Sequence, residues 1–452
     1  MIKRRVFVLG AGFSIAVSDG AFPDTTLLGA KAAKGLADAL RPEYKRILAS
    51  GTFEEQLSRL AEDQPDLSEA ENLERRGLFV RLSGEIAKVL EKIQSQVFAN
   101  PDGVPDTLLR LVAVLDAWRS TVITFNYDLL VEYAVLAHCL KDHATGIRAL
   151  PGDLVGHMPQ LVPPSQFGGH QMETFELLKL HGSLDWWWSA RDSTGATMVR
   201  ADVFAPGVGQ ERWLQGLTRY VVPPTALKST FYANPLSTAL WQKAADAIRQ
   251  ADELMLVGYS LPATDLVVRG MIRENLQPGA RVVVVNPDAA SVSSQLKGCG
   301  VSEEQIDVID GDNCVATMVD RLELDASRLV GEELRKHPGD QVPCVVEFGN
   351  QLARVIASDM DGETLALNCE AAQAQPNVLG PEGSTPMTVA DIKNKLERSR
   401  SPAVLARIEG TGSTYVVSHG SLFQQTGLSQ EWCVLATALP FDRLPSSDSE
   451  IA

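Results

Sequence analysis

Paired cysteines are missing from this chain. Its six cysteines stand apart at 139, 299, 314, 344, 369 and 433 with no CxxC spacing. That excludes a zinc ribbon and offers no disulfide framework, so they are expected as small buried apolar residues in a reducing compartment. Long apolar runs are missing too. None approaches the roughly 20 residues of a membrane helix, and Lys3, Arg4 and Arg5 precede only Val6 to Leu9 before Gly10, too little for a secretory leader. Positive charge is scarce: 41 Lys and Arg face 57 Asp and Glu, a formal net charge of -16, which argues against nucleic acid or an anionic membrane as partner. What the chain does have is size and an ordinary globular composition. At 452 residues, 45% apolar and 22% charged, it is expected to be cytoplasmic, with two or three domains and a large core.

Local pattern divides the chain. Val6 to Leu9 reads as a buried strand running into Gly10-Ala11-Gly12-Phe13-Ser14. Residues 27–60 repeat apolar positions at helical spacing, and Leu78, Leu82, Ile86, Val89, Leu90, Ile93 and Val97 form one stripe. A further helix, about Pro105 to Trp118, leads to Thr121-Val122-Ile123-Thr124, a β-branched run expected as a parallel strand. Residues 30–118 therefore form a helical module between two strands. Phe175 to Leu180, Glu253 to Val257 and Ala280 to Val285 read as further strands, with helices at Leu236 to Gln250 and Asp265 to Glu274 between them. The adjacent Trp186, Trp187 and Trp188 suit a packed hairpin. Strands alternating with helices predict an α/β domain built on a Rossmann-like parallel sheet over residues 1–325.

Beyond about Arg335 the pattern changes. Val342 to Phe348, Leu352 to Ser358, Thr364 to Cys369, Val404 to Ile408, Thr414 to Val417 and Trp432 to Ala436 have strand character, with Asp361-Gly362 as a hairpin turn and Thr388 to Arg398 as a helix. A separate α+β domain is expected at 338–445, followed by a disordered tail at 446–452.

The chemistry-bearing residues sit where the strands stop. Open α/β sheets bind ligands at the carboxyl ends of their strands. There the chain places Gly10 to Ser14, Thr124-Phe125-Asn126-Tyr127-Asp128, His181-Gly182-Ser183, Gly258-Tyr259-Ser260 and Asn286. Glycine lets a phosphate approach main-chain N–H groups. Taken alone, Asn126 and Asp128 also suit a helix cap, His181 a structural histidine, and Gly258 with Ser260 a plain turn.

In this order the segments resemble the sirtuin-like (SIR2) family of NAD-consuming enzymes over about residues 4 to 320. The resemblance implies that Gly10, Ala11, Gly12, Phe13 and Ser14, with Pro23 and Asp24, hold the dinucleotide. It also implies that Thr124, Asn126 and Asp128 lie beneath the nicotinamide riboside, with Asp128 orienting the loop. His181 would carry the catalysis, and Gly258, Ser260 and Asn286 would receive the adenosine half. Asn126 is expected to hold a ribose hydroxyl or the attacking water, and His181 to serve as general base. Two departures stand out: the paired CxxC motifs of the protein deacylases are absent, implying no metal, and Thr25-Thr26 follow Pro23-Asp24 where those enzymes carry Phe-Arg. The wording is similar to the zinc-free branch found in bacterial anti-phage defence proteins, which hydrolyse NAD to nicotinamide and ADP-ribose. A binding module without turnover and a protein deacylase are the rival readings. A hydrolase that drains NAD needs gating, so a homo-oligomer or a partner protein is expected.

Overall fold

The computed structural model describes residues 4–36, 47–99, 104–117, 120–137, 175–189, 198–201, 214–225, 235–262 and 265–322, the single residues 212 and 325, and the strands at 141–142, 146–147 and between 345 and 435. A six-stranded parallel sheet organises the first part. Its strands are β1 (Arg5–Leu9), β2 (Thr121–Thr124), β5 (Glu176–Lys179), β9 (Glu253–Val257), β10 (Arg281–Val285) and β11 (Ile306–Ile309), in the order β11-β10-β9-β1-β2-β5. Every pairing in it is parallel. The α/β class and the parallel sheet expected from the sequence are therefore present.

These strands are apolar on both faces because both faces are covered. Phe7, Leu9, Val122, Leu177, Met255, Val257, Val283 and Val285 point into one core, while Val6, Val8, Ile123, Leu178, Leu254, Leu256, Val282 and Val284 point into the other. Successive residues alternate between the two, as the pleat requires. The first core is closed by helices α1 (Ala11–Val17), α2 (Thr25–Gly35), α3 (Phe53–Ala61), α4 (Glu69–Phe98), α5 (Asp106–Ala117) and α6 (Leu130–Ala137), and by the helical stretch 314–322. The second is closed by α7 (Pro235–Gln250), α8 (Leu266–Asn275) and α9 (Ala289–Gly298).

Helices α2 to α5 pack on the sheet as one of its covering layers. Two of their starts are chemically marked. Thr52 with Glu55 and Ser68 with Glu71 form reciprocal capping boxes at the heads of α3 and α4, each satisfying N–H groups that the first turn leaves over.

The tryptophan run lies in β6 (Gly182–Trp188), which pairs antiparallel with β7 (Val199–Arg200) and β8 (Thr218–Val221). Trp186 is buried against Tyr220, in keeping with a packed hairpin. The pattern missed β11, whose Ile-Asp-Val-Ile alternates at the sheet edge and lacks the continuous apolar run of a central strand. Two two-residue strands, β3 (Lys141–Asp142) and β4 (Gly146–Ile147), pair with each other.

The later segments form a second sheet of β12 (Val345–Phe348), β13 (Gln351–Asp361), β14 (Thr364–Ala371), β15 (Leu405–Gly410), β16 (Ser413–Ser418) and β17 (Cys433–Leu435), ordered β16-β15-β14-β13-β12-β17. Asp361 pairs with Thr364, which makes β13 and β14 an antiparallel pair; the expected turn residue Gly362 lies outside the described residues. The expected helix at 388–398 and the tail at 446–452 lie outside the described residues.

Candidate active site

The glycine turn is built against a second glycine turn. β1 and β9 are neighbours, and the loops that leave them lie backbone on backbone. The Gly10 N–H donates to the Val257 carbonyl at 3.0 Å and the Gly12 N–H to the Gly258 carbonyl at 2.9 Å. A Cβ at Gly10 would lie 2.6 Å from Tyr259 Cα, and one at Gly12 would lie 2.8 Å from the Gly258 oxygen. Gly258 itself has φ +60, and a Cβ there would strike the Phe13 nitrogen. The glycines at 10, 12 and 258 are thus required by loop packing before any ligand is considered. The Phe13 N–H also turns inward, onto the Gly10 carbonyl at 2.9 Å. The N–H groups of residues 10, 12 and 13 are thus committed within the protein.

Asn126 sits two residues beyond β2 and is fixed by that turn. Its Nδ2 donates to the Gly10 carbonyl and to Ser14 Oγ, both at 2.9 Å. Ser14 Oγ donates in turn to Asp128 Oδ2 at 2.7 Å, and the Asp128 Oδ1 accepts the Leu130 N–H at 3.2 Å. The amide orientation follows: a flip would set Oδ1 against the Gly10 carbonyl, two acceptors facing each other. With both amide hydrogens committed, Asn126 offers Oδ1 to the outside, and the residue is only half buried. Thr124 Oγ1 accepts the Asn126 N–H at 3.1 Å, so the hydroxyl expected under the substrate serves the loop. Asp128 thus accepts from both Ser14 and Leu130.

His181 follows β5, the strand beside β2, and is 6% exposed. Its ring centroid is 4.8 Å from that of Phe125 and 6.4 Å from that of Trp241 on α7, and the Tyr259 ring also lies 4.8 Å from that of Phe125. Gly182 has φ +81 and lies against the Tyr220 carbonyl, where a Cβ would collide. The chain therefore turns at residue 182 into β6, and the Val222 N–H donates to the His181 carbonyl at 2.9 Å. Tyr127 donates its hydroxyl to the Val222 carbonyl at 2.6 Å, tying the asparagine loop to the histidine turn.

The other expected residues lie around the same sheet edge. Ser260 is exposed beyond β9, and Asn286 is half buried beyond β10, its Oδ1 accepting the Asp288 N–H at 2.9 Å. Leu261, next to Ser260, is buried with φ +47, a conformation costly for leucine. Asp24 caps α2 by accepting the Leu27 N–H at 2.7 Å, and Pro23 is buried beside it. Asp24 thus has a structural task of its own.

Beneath the site lie charges that the sequence reading did not single out. Lys179, on β5 and 1% exposed, reaches Glu132 on α6 at 2.9 Å and donates to the Asp128 carbonyl at 2.5 Å. Burial pushes the Glu132 carboxyl above its ordinary range, with Lys179 acting in the opposite direction and Asp185 adding to the rise. Asp185 pairs with Arg200 at 3.2 Å, both nearly inaccessible. On α4, Gln94 accepts the buried Leu129 N–H at 2.7 Å. A lysine inside the apolar run Leu177 to Leu180 and a glutamate in the apolar helix Leu130–Ala137 were the available signals.

No group of three metal-ligating side chains occurs among the described residues, and none of their helices is long and apolar enough to cross a membrane. No family model matches the sequence, and no curated protein is significantly similar to it. Several solved Sir2 structures are. A complex of a Sir2 homologue with NAD is 15% identical, covering 71% of this chain and 88% of that one at a TM-score of 0.34. A structure from work on the mechanism and regulation of Sir2 enzymes is also 15% identical, covering 72% and 94% at 0.32. A Sir2 enzyme with a propionylated peptide is 14% identical, covering 71% and 92% at 0.30. At these values no residue role carries across, and the parallel sheet rests on its own strand pairings.

Proposed function

We propose that this protein binds NAD and hydrolyses it to nicotinamide and ADP-ribose, acting in the bacterial cytoplasm as an abortive-infection effector against phage. The observation that carries the catalytic reading is the placement of Asn126 and His181 just beyond the ends of two adjacent strands, with Phe125 against the imidazole. The defence role rests on the motif resemblance and on the absence of paired CxxC motifs.

The chemistry asks little of the protein. The nicotinamide leaving group is already cationic, so the bond from ribose C1′ to the ring nitrogen breaks with its electron pair neutralising that nitrogen. Water then forms the new bond to C1′. In this reading Asn126 Oδ1 accepts a hydrogen bond from a ribose hydroxyl or from that water, and His181 takes the proton and returns it to solvent. The turn at 10–14 lies along the diphosphate, and Ser260 and Asn286 face the adenosine half. The aromatic wall of Phe125 and Trp241 around a buried His181 favours water over a bulky peptide acceptor.

The test is full-length protein with NAD, products separated, with and without an acylated peptide. We expect nicotinamide and ADP-ribose without peptide, and Asn126→Ala or His181→Ala to lower release by about 100-fold or more while the chain remains folded. Full turnover in either variant overturns the residue assignment. Release that requires the peptide replaces hydrolysis with deacylation, and binding without release leaves a sensor.

A further inference from the structure

The outer face of α4 is not that of a solvated helix. Opposite the buried stripe Leu78, Leu82, Ile86 and Leu90, the helix presents Ala70, Leu73, Gly77, Val80 and Gly84, all exposed and spaced three and four residues apart. Leu73 is 55% and Val80 61% exposed. Among the described residues, nothing lies within 4 Å of where a Cβ would stand at Gly77 or Gly84. Glycine weakens a helix interior, and no described neighbour requires it at either place. Apolar residues at this spacing make a coiled-coil seam, and glycine within a seam lets two helix backbones approach closely.

The flanks select the partner. Glu74 and Arg81 run along one side of the seam, Glu69 and Arg76 along the other. In a parallel pair of identical helices, Arg76 would face Arg81 of the second copy and Glu69 would face Glu74, like against like. In an antiparallel pair, Glu74 faces Arg81 twice across a two-fold axis and Arg76 faces the neutral Ser83. We infer that this face is a self-association surface, on which α4 of a second copy of this chain packs antiparallel.

The same helix reaches the candidate site. Its later turns hold the asparagine loop through Gln94 and Leu129, and Glu91 pairs at 2.6 Å with Arg219 on β8, the strand beside β6. Assembly would therefore steady the frame that positions Asn126 and His181. This coupling rests on the proposed hydrolysis; the interface does not.

The experiment is light scattering on the full chain across a concentration series, with nicotinamide release per chain followed in the same samples. We expect a concentration-dependent dimer that Leu73→Glu with Val80→Glu makes monomeric at unchanged melting temperature. Glu74→Arg alone should weaken the dimer about tenfold or more, and Glu74→Arg with Arg81→Glu should restore it. A wild type monomeric throughout, or a dimer indifferent to Leu73→Glu with Val80→Glu, overturns the proposal. So does a Glu74→Arg dimer tighter than wild type, which a parallel pair would give. A monomer whose α4 face is protected from hydrogen exchange assigns the face to another segment of the chain, and also overturns it. Because mass is read without turnover, loss of the interface and loss of the NAD reading are separate results.

Discussion

At the scale of single residues, this site is held by hydrogen bonds whose donors and acceptors leave little choice. The order Asn126 to Ser14 to Asp128 determines which amide atom faces outward. Tyr127 shows the same economy with a consequence for pH. Its hydroxyl is buried on the Val222 carbonyl, and burial raises its pKa above the ordinary 10.0, with Asp265 and Glu54 adding to the rise. A group whose folded pKa is raised contributes stability that is complete below the unfolded value and is lost as pH climbs past it. Tyr127→Phe should therefore cost about 1 kcal/mol at neutral pH. Denaturant titrations of both proteins should show that difference shrinking above pH 10. A constant gap would mean that the hydroxyl does not matter in its neutral form alone.

At the scale of elements, the turn after β2 is the joint. It is held from β1 through Gly10, from α4 through Gln94, from β8 through Tyr127 and Val222, and from β5 through Lys179. The Lys179–Glu132 pair is fully enclosed, and a buried pair is costly to halve, because the surviving charge is left without its counterion. Lys179→Met should destabilise the protein by about 3 kcal/mol or more. Adding Glu132→Leu should recover part of that, and Lys179→Arg should keep more turnover than Lys179→Met. Equal stability of Lys179→Met and wild type would show that the loop does not depend on this strut. The strand ends and helices were legible in the sequence because period and β-branching declare them. The joint was not, because its partners lie 35 to 116 residues apart in sequence.

At the scale of the whole molecule, net charge and topology act together. The order of the parallel sheet brings five separate sequence segments to one edge, and β1 stands where the crossovers part to either side, the position at which open sheets bind ligands. A formal charge of -16 over the whole chain weighs against polyanions as partners. Fluorescence anisotropy with a labelled duplex at physiological salt should show no binding by the full chain; a salt-dependent rise would reveal a local basic surface that the total conceals.

The opening glycine turn marks the division between what the sequence settles and what the fold settles. Sequence alone determined that a strand ends at Leu9, that glycine follows, and that comparable strand ends carry Asn126, His181, Ser260 and Asn286, since these are matters of local pattern and residue chemistry. Only the tertiary structure decided that Gly10 and Gly12 serve first to let the 258 turn approach, that Asn126 presents Oδ1, and that Lys179 and Gln94 stand behind the loop. Those facts depend on which buried polar atoms find each other once both faces of the sheet are covered, and no local spacing encodes that.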